Sequence, residues 1–491
     1  MYGRMYGTLQ RAAAVIVHPP GIEYDSTRTI MTRSEEDTLG ALELPADSLY
    51  GINTARALLN FDFSARKLAG ERAFVRAFAK IKAAAARANA RLDVLAPETA
   101  RLINAACADM EQGRLDAWLL VDMYEGSGGT SLNMNVNEVL ANRAIQLGDR
   151  SPGDYAFVHP NDQVNRSQST NDVVPSAIRV GAWLMLEDLL TPLRQLVAAL
   201  ADKRQQFSSM LRLGRTCLQD AQPMTLGQSF GAHHGMAERC AARLAQLRTD
   251  LLCLPLGGTA IGTGFGAVRG YRAAVLEELS TGLGATCLAP ADAFDGMASA
   301  DDYLRLAGEL NCLAQGLGKL ADDFMFLASG PNGGIAELKL PALQAGSSIM
   351  PGKVNPVIPM AVRQVAFACG GRYVAIQSAC GIGQLEINPY EPLIAAELFE
   401  MLRLLTNTVR ALTDRCIAGL EADEDRMRQA LLASSAAATA LLPIIGYARA
   451  SRLVRLAQIQ NRPFIDLIAE EGLMSREAVM EALQNAAIMG T

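Results

Sequence analysis

In the stretch "MTLGQSFGAHHGMAERCAARLAQLRTDLL" the positions Leu226, Phe230, His233, Ala237, Cys240, Leu244, Leu247 and Leu251 mostly alternate spacings of four and three. Side chains spaced this way share one face of a helix, so the pattern predicts a long helix with a single apolar stripe. Comparable patterns predict helices over 173–207, 303–329, 357–380 and 392–419, each bounded by Gly, Pro or polar turn residues. Little strand pattern lies between them. The chain therefore reads as mainly α, with a central long-helix bundle flanked by smaller, mostly helical ends. His233 and His234 fall inside the helical pattern and read as hydrogen-bonded core residues rather than catalysts.

Four segments have a composition that a bundle does not require: "EGSGGTSLNMNVNE" at 125–138, "HPNDQVNRSQSTND" at 159–172, "GRTCLQDAQPMTLGQ" at 214–228 and "LPALQAGSSIMPGKVNP" at 340–356. They are dense in Ser, Thr, Asn and Gly, which make turns and caps but are also neutral hydrogen-bonding groups. Four such segments without a metal-ligand pattern fit a site for something rich in acceptor oxygens. "GSSIMPGK" is not a Walker A loop: five residues separate Gly346 from Gly352, and Val354 stands where a magnesium-binding hydroxyl belongs. "GTGFGA" at 262–267 matches a dinucleotide fingerprint by letters, but no strand pattern precedes it, and it reads as a tight turn. "NPYEP" at 388–392 reads as a turn between long helices.

At 491 residues, with roughly 150 residues per domain as the guide, the chain has room for about two to four domains. Lys and Arg total 45 against 51 Asp and Glu, and no basic tract offers a phosphate-backbone footprint, so nucleic acid is not an expected partner. Nine scattered cysteines with no C-x-x-C fit a reduced, cytoplasmic protein. Only four histidines leave little material for a metal site, and no metal or cofactor is expected. The "AAAVIV" run in the first thirty residues is too short to span a membrane, and 1–30 reads as a loose extension before a more regular start at Met31.

Taken in order, "GTSLNMNVNEVLANRA", "HPNDQVNRSQSTND", "GRTCLQDAQPMTLGQ", "LGGTAIGTG" and "AGSSIMPGKVNP" resemble the family blocks of the aspartase/fumarase superfamily, over residues 34 to about 480. "GTSLNMN", "LQAGSSIM" and "VNPVIP" look closest to its aspartate ammonia-lyase branch, while "HPND" is closer to the hydratases. The resemblance implies a three-domain helical subunit: after the 1–30 extension, an N-terminal domain over 31–169, a central long-helix domain over 170–425 and a small C-terminal helical domain over 426–491. It implies a homotetramer whose active sites draw segments from three chains, and a small dicarboxylate as substrate. By similarity, Ser347 is the general base. Thr130, Ser169, Thr170 and Ser348 hold the carboxylate next to the abstracted proton, Lys353 and Asn355 hold the other, and Asn171 and Thr216 lie near the departing amino group.

Two positions depart from the family pattern. Cys217 follows Thr216 where the family commonly carries His or Gln beside the leaving group, and Met360 stands seven residues after Lys353, where a glutamate is usual. Drift in a tolerant pocket accounts for this, and so does a less polar leaving-group pocket. The expected activity is elimination of ammonia from L-aspartate or a close analogue to give fumarate. Elimination of a substituted amine, hydration of fumarate and an inactive tetrameric paralogue remain as alternatives.

Overall fold

The apolar stripes fold into helices Thr170–Gln206, Leu226–Asp250, Asp301–Leu327, Val357–Cys380 and Glu391–Leu412, close to the predicted bounds. The structure, a computed structural model, describes residues 31–488; the 1–30 extension expected from the sequence lies outside the described residues. In helix Leu226–Asp250 the stripe is buried as predicted, with Leu226, Phe230, Ala237 and Leu244 at 1% exposure or less. His233 is buried on the same face, its Nε2 3.2 Å from Asp323 Oδ2, as a core histidine with a partner.

The chain divides into two compact units. One comprises the described chain up to Glu187 together with Leu244–Gly308 and Gly371–Arg403; the other comprises Asp188–Arg243, Glu309–Gly370 and the chain from Leu404 onwards. In the first unit, helix Arg72–Arg91 packs against helices Pro97–Glu111 and Tyr271–Leu283, and Pro97–Glu111 packs in turn on Thr130–Leu147. Its Ala-rich buried face, Ala77, Ala84, Ala85 and Ala88, lets the neighbours approach closely. Glu138, fully buried on Thr130–Leu147, collects the N–H groups of Gly51, Asn53 and Thr54 at 2.9, 2.9 and 3.1 Å. A carboxylate at the start of helix Ile52–Asn60 satisfies orphan donors and complements the helix dipole.

In the second unit the antiparallel hairpin Leu211–Thr216/Gln219–Thr225, which carries "GRTCLQDAQPMT", was not expected from the sequence pattern. Its register shifts between Leu213 and Arg215. Residues three apart on a regular strand face opposite sides, but this irregularity turns Arg212 and Arg215 onto one carboxylate: they pair the two oxygens of fully buried Glu337 at 2.8 and 2.7 Å. The hairpin packs on helix Glu424–Ala433 and on the C-terminal helices, whose core includes Leu441, Leu453, Phe464, Ile468 and Leu483. Short pairings Thr32–Asp37/Gly40–Pro45 and Leu338–Lys339/Glu421–Ala422 complete the strands seen among the described residues. The protein is mainly helical, as the sequence predicts.

Candidate active site

In the first unit the chain enters helix Thr130–Leu147 through Gly128 and Gly129, with φ of +65° and +91°. A Cβ on Gly129 would lie 2.9 Å from Val174 Cγ2, so both the backbone conformation and the close approach require glycine. Glu125 accepts the N–H groups of Ser127 and Gly129, and Thr130 opens the helix with an exposed side chain.

Ser169, Thr170 and Asn171 sit half-buried at the start of the 37-residue helix Thr170–Gln206. The free N–H groups and dipole of a helix start favour an anion there. Buried Asp172 secures the turn: Oδ1 accepts Ser169 N at 2.9 Å, and Oδ2 accepts Gly257 N at 2.9 Å and Thr259 N at 3.0 Å. Asn171 Nδ2 donates to Ala260 O at 2.8 Å. The glycine-rich stretch that the sequence read as a turn follows directly: Gly262, Gly264 and Gly266 all have positive φ, and Gly262 N and Gly264 N donate to Gly258 O, within the 257–260 segment that is laced to this helix start.

Beneath these residues lies a polar cluster that the sequence reading missed. Lys82 is 0% exposed, and its Nζ donates to Asn165 Oδ1 at 2.9 Å and Gln168 Oε1 at 3.0 Å. Burial pushes its ammonium down to about 7, against the attraction of Asp172 and Cys107. Burial pushes Asp172 up to about 6, opposed by backbone N–H groups and by Lys82. Asn133 and Asn137 point into the same space and are buried. A signal was available: Lys82 lies on the face of Phe78, Ala85 and Asn89, and a lysine on an apolar stripe needs acceptors.

In the second unit Thr216 and Cys217 form the tip of the hairpin, both exposed. Cys217 and Leu218 have φ of +52° and +62°, the two-residue turn that twists with its strands and that usually takes Asn-Gly.

The serine loop is pinched at its base. Gly346 N donates to Lys353 O at 2.7 Å, and Asn355 Nδ2 donates to Gly346 O at 2.8 Å. A Cβ on Gly346 would stand 2.9 Å from both Asn355 N and Lys353 O, so the pinch needs glycine. Within the loop Ser347 Oγ accepts Ile349 N at 3.2 Å and Met350 N at 3.1 Å. Two amide hydrogens aimed at one hydroxyl oxygen favour negative charge on it. Ser348 and Lys353 are exposed, Asn355 is half-buried, and Met360 stands exposed in the first turn of helix Val357–Cys380.

The single chain thus gathers Thr130, Ser169, Thr170 and Asn171 in one unit and carries Thr216, Cys217, Ser347, Ser348, Lys353 and Asn355 in the other. Among the described residues no hydrogen bond joins the serine loop to the hairpin tip. "NPYEP" is a turn, as expected, but a buried one: Asn388 and Glu391 are both under 10% exposed, and Pro389 lies 3.6 Å from where Gly128 would carry a Cβ. Burial pushes Glu391 up to about 8, against the attraction of Arg179.

Comparison with known proteins places the chain in a family. Residues 40–371 match a lyase family. The chain is 44% identical to an aspartate ammonia-lyase of Pseudomonas canavaninivorans, over 90% of this chain and 94% of the relative. It is 41% identical to a class II fumarate hydratase of Xylella fastidiosa, over 93% and 95% of the two chains. The crystal structure of a fumarate lyase:delta crystallin from Brucella melitensis, bound to cobalt, superposes with a TM-score of 0.90 at 40% identity, covering 94% of this chain and all of that one.

Proposed function

We propose that this chain, which belongs to the aspartase/fumarase superfamily and is a lyase, eliminates ammonia from L-aspartate or a close succinate analogue to give fumarate. The observation that carries this reading is the environment of Ser347: a serine oxygen that accepts two backbone N–H groups in a glycine-pinched loop is prepared to exist as an alkoxide. The alkoxide takes the C3 proton, and the C–H electron pair moves into the neighbouring carboxylate to form a doubly charged aci-carboxylate. Collapse of that dianion forms the C2–C3 double bond and expels the amino group with the C–N electron pair.

The aci-carboxylate is the energetic problem, and donors placed on its oxygens in advance are worth roughly 3 to 4 kcal/mol each. Thr130, Ser169, Thr170 and Ser348 supply such donors in this reading, with the helix start behind Thr170 adding to them. Lys353 and Asn355 hold the second carboxylate, as a point charge and an amide donor. Asn171 and Thr216 border the amino group.

Assembly into a homotetramer, with three-domain subunits that share active sites, belongs to the same proposal. It is supported by helix Val357–Cys380, where Met360, Phe367 and Val374 repeat every seven residues at 46%, 63% and 57% exposure. An exposed apolar seam with a heptad period is the signature of a helix that packs on another helix.

A second reading is elimination of a substituted amine, favoured by Cys217 and Met360. A thiol is a weak donor and a thioether donates nothing, so the pair suits a larger or less charged leaving group than ammonium. One assay separates the readings: ultraviolet absorbance of fumarate is followed with L-aspartate, N-substituted aspartates and L-malate. Turnover of L-aspartate far above the others supports the ammonia-lyase. Preference for an N-substituted aspartate supports the second reading, preference for malate supports a hydratase, and no turnover overturns the proposal.

A further inference from the structure

Thr170 carries one hydroxyl hydrogen, and its direction decides whether the side chain offers a donor or an acceptor to a ligand. Behind it runs a chain of polar groups whose polarity is fixed from one end. As an ammonium, Lys82 Nζ can only donate, and its partners Asn165 and Gln168 turn their amide oxygens Oδ1 and Oε1 towards it. Asn165 is an acceptor on that side, and its own Nδ2 donates to Gln168 O at 3.2 Å. Asn133, 1% exposed, faces the same Asn165 oxygen and must therefore present its NH₂ group. One of its hydrogens goes to Asn165 Oδ1 and the other to Thr170 Oγ1, each at 3.3 Å. Turning the Asn133 amide round would set oxygen against an oxygen that already accepts from Lys82 and, at 3.2 Å, from Asn137 Nδ2. Thr170 Oγ1 accepts from the interior. Its own hydrogen is then available to another acceptor, since none of the hydrogen bonds among the described residues takes it.

We propose that Lys82, acting through Asn165 and Asn133, is a positioning residue that fixes Thr170 as a hydrogen-bond donor towards the substrate carboxylate. This rests on the reading of Thr170 as a carboxylate-binding residue. A carboxylate only accepts, and an aci-carboxylate accepts more strongly because it carries a second charge, so a hydroxyl with its hydrogen already outward favours the intermediate over the ground state. The arrangement ties helices Arg72–Arg91 and Thr130–Leu147 to the start of Thr170–Gln206.

The test compares wild type with Asn133→Ala, Lys82→Met and Asn133→Asp by calorimetric titration with succinate and with the nitronate of 3-nitropropionate, whose charge distribution imitates the aci-carboxylate. Circular dichroism identifies the variants that fold, and a ratio of two dissociation constants does not depend on the fraction of competent protein. Preference for the nitronate should fall about fivefold in Asn133→Ala and Lys82→Met, where the Thr170 hydroxyl is freed to rotate. It should fall about thirtyfold in Asn133→Asp, where a carboxylate takes the hydrogen inward. If Asn133→Asp does not fold, the other two decide. A ratio within about twofold of wild type in either of them overturns the relay while leaving the site intact. Wild type that binds neither dianion overturns the reading of the site, and the relay with it.

Discussion

A serine hydroxyl is a poor base unless its oxygen is stabilised as an anion, and the two amide hydrogens that Ser347 receives would stabilise one in the proposed reaction. Ser347→Ala should keep its fold and its affinity for succinate while fumarate release falls by about a thousandfold or more, since the chemical step alone is removed. Near-normal turnover in that variant would remove Ser347 from the role. Lys82 makes a different kind of prediction. Its pKa falls from an ordinary 10.5 to about 7 on folding, so between those values the unfolded chain binds more protons than the folded one. The Lys82 contribution to stability therefore rises with pH across that window. Other groups pull the other way: Glu391, raised to about 8, acts up to that pH, the thiols of Cys107, Cys380 and Cys416, all raised by burial, act from about 9, and Asp172, raised to about 6, acts below the window. The Lys82 contribution is therefore read as a difference: from pH 7 to pH 9 the urea midpoint of wild type should rise relative to that of Lys82→Met, which shares Glu391 and these thiols. Parallel curves would show that Lys82 does not titrate as its burial requires.

At the scale of elements, the long helices were legible because an apolar stripe repeats through each of them and tertiary packing then buries that stripe. The hairpin Leu211–Thr216/Gln219–Thr225 was not. Its turn residues are Cys217 and Leu218 rather than Asn-Gly, and the shifted register hides the strand alternation around Arg212 and Arg215. The same local rule gives a test: Leu218→Gly relieves a left-handed residue whose side chain is 62% exposed, and should stabilise the protein by about 0.5 to 1 kcal/mol in urea unfolding. Loss of stability would mean that Leu218 contributes a contact worth more than its strain. Of the candidate site, the family blocks let residues be named one by one, each on the local turn or helix start that its block forms. The network of Lys82, Asn165 and Asn133 was not legible: the apolar stripe around Lys82 says that its ammonium needs acceptors, but which groups meet it is decided by which helices pack together. "NPYEP" shows the same limit: its turn was readable, but the burial of Glu391 was not.

On the scale of the whole molecule, the account needs more than one chain. The exposed seam of Met360, Phe367 and Val374 should be covered by another copy, and Phe367→Lys with Val374→Lys should give dissociated subunits by sedimentation and no fumarate release. An intact, active oligomer would place the subunit contact elsewhere. The central claim is that this lyase acts on L-aspartate at sites completed by neighbouring subunits, with Ser347 from one chain and Thr216 from another. It is tested most directly by mixing inactive Ser347→Ala subunits with inactive Thr216→Val subunits, confirming mixed oligomers by native mass spectrometry, and measuring fumarate release from L-aspartate. The account predicts that activity returns on mixing, because some hybrid sites receive both intact residues. Mixed oligomers that form and release no fumarate would contradict it.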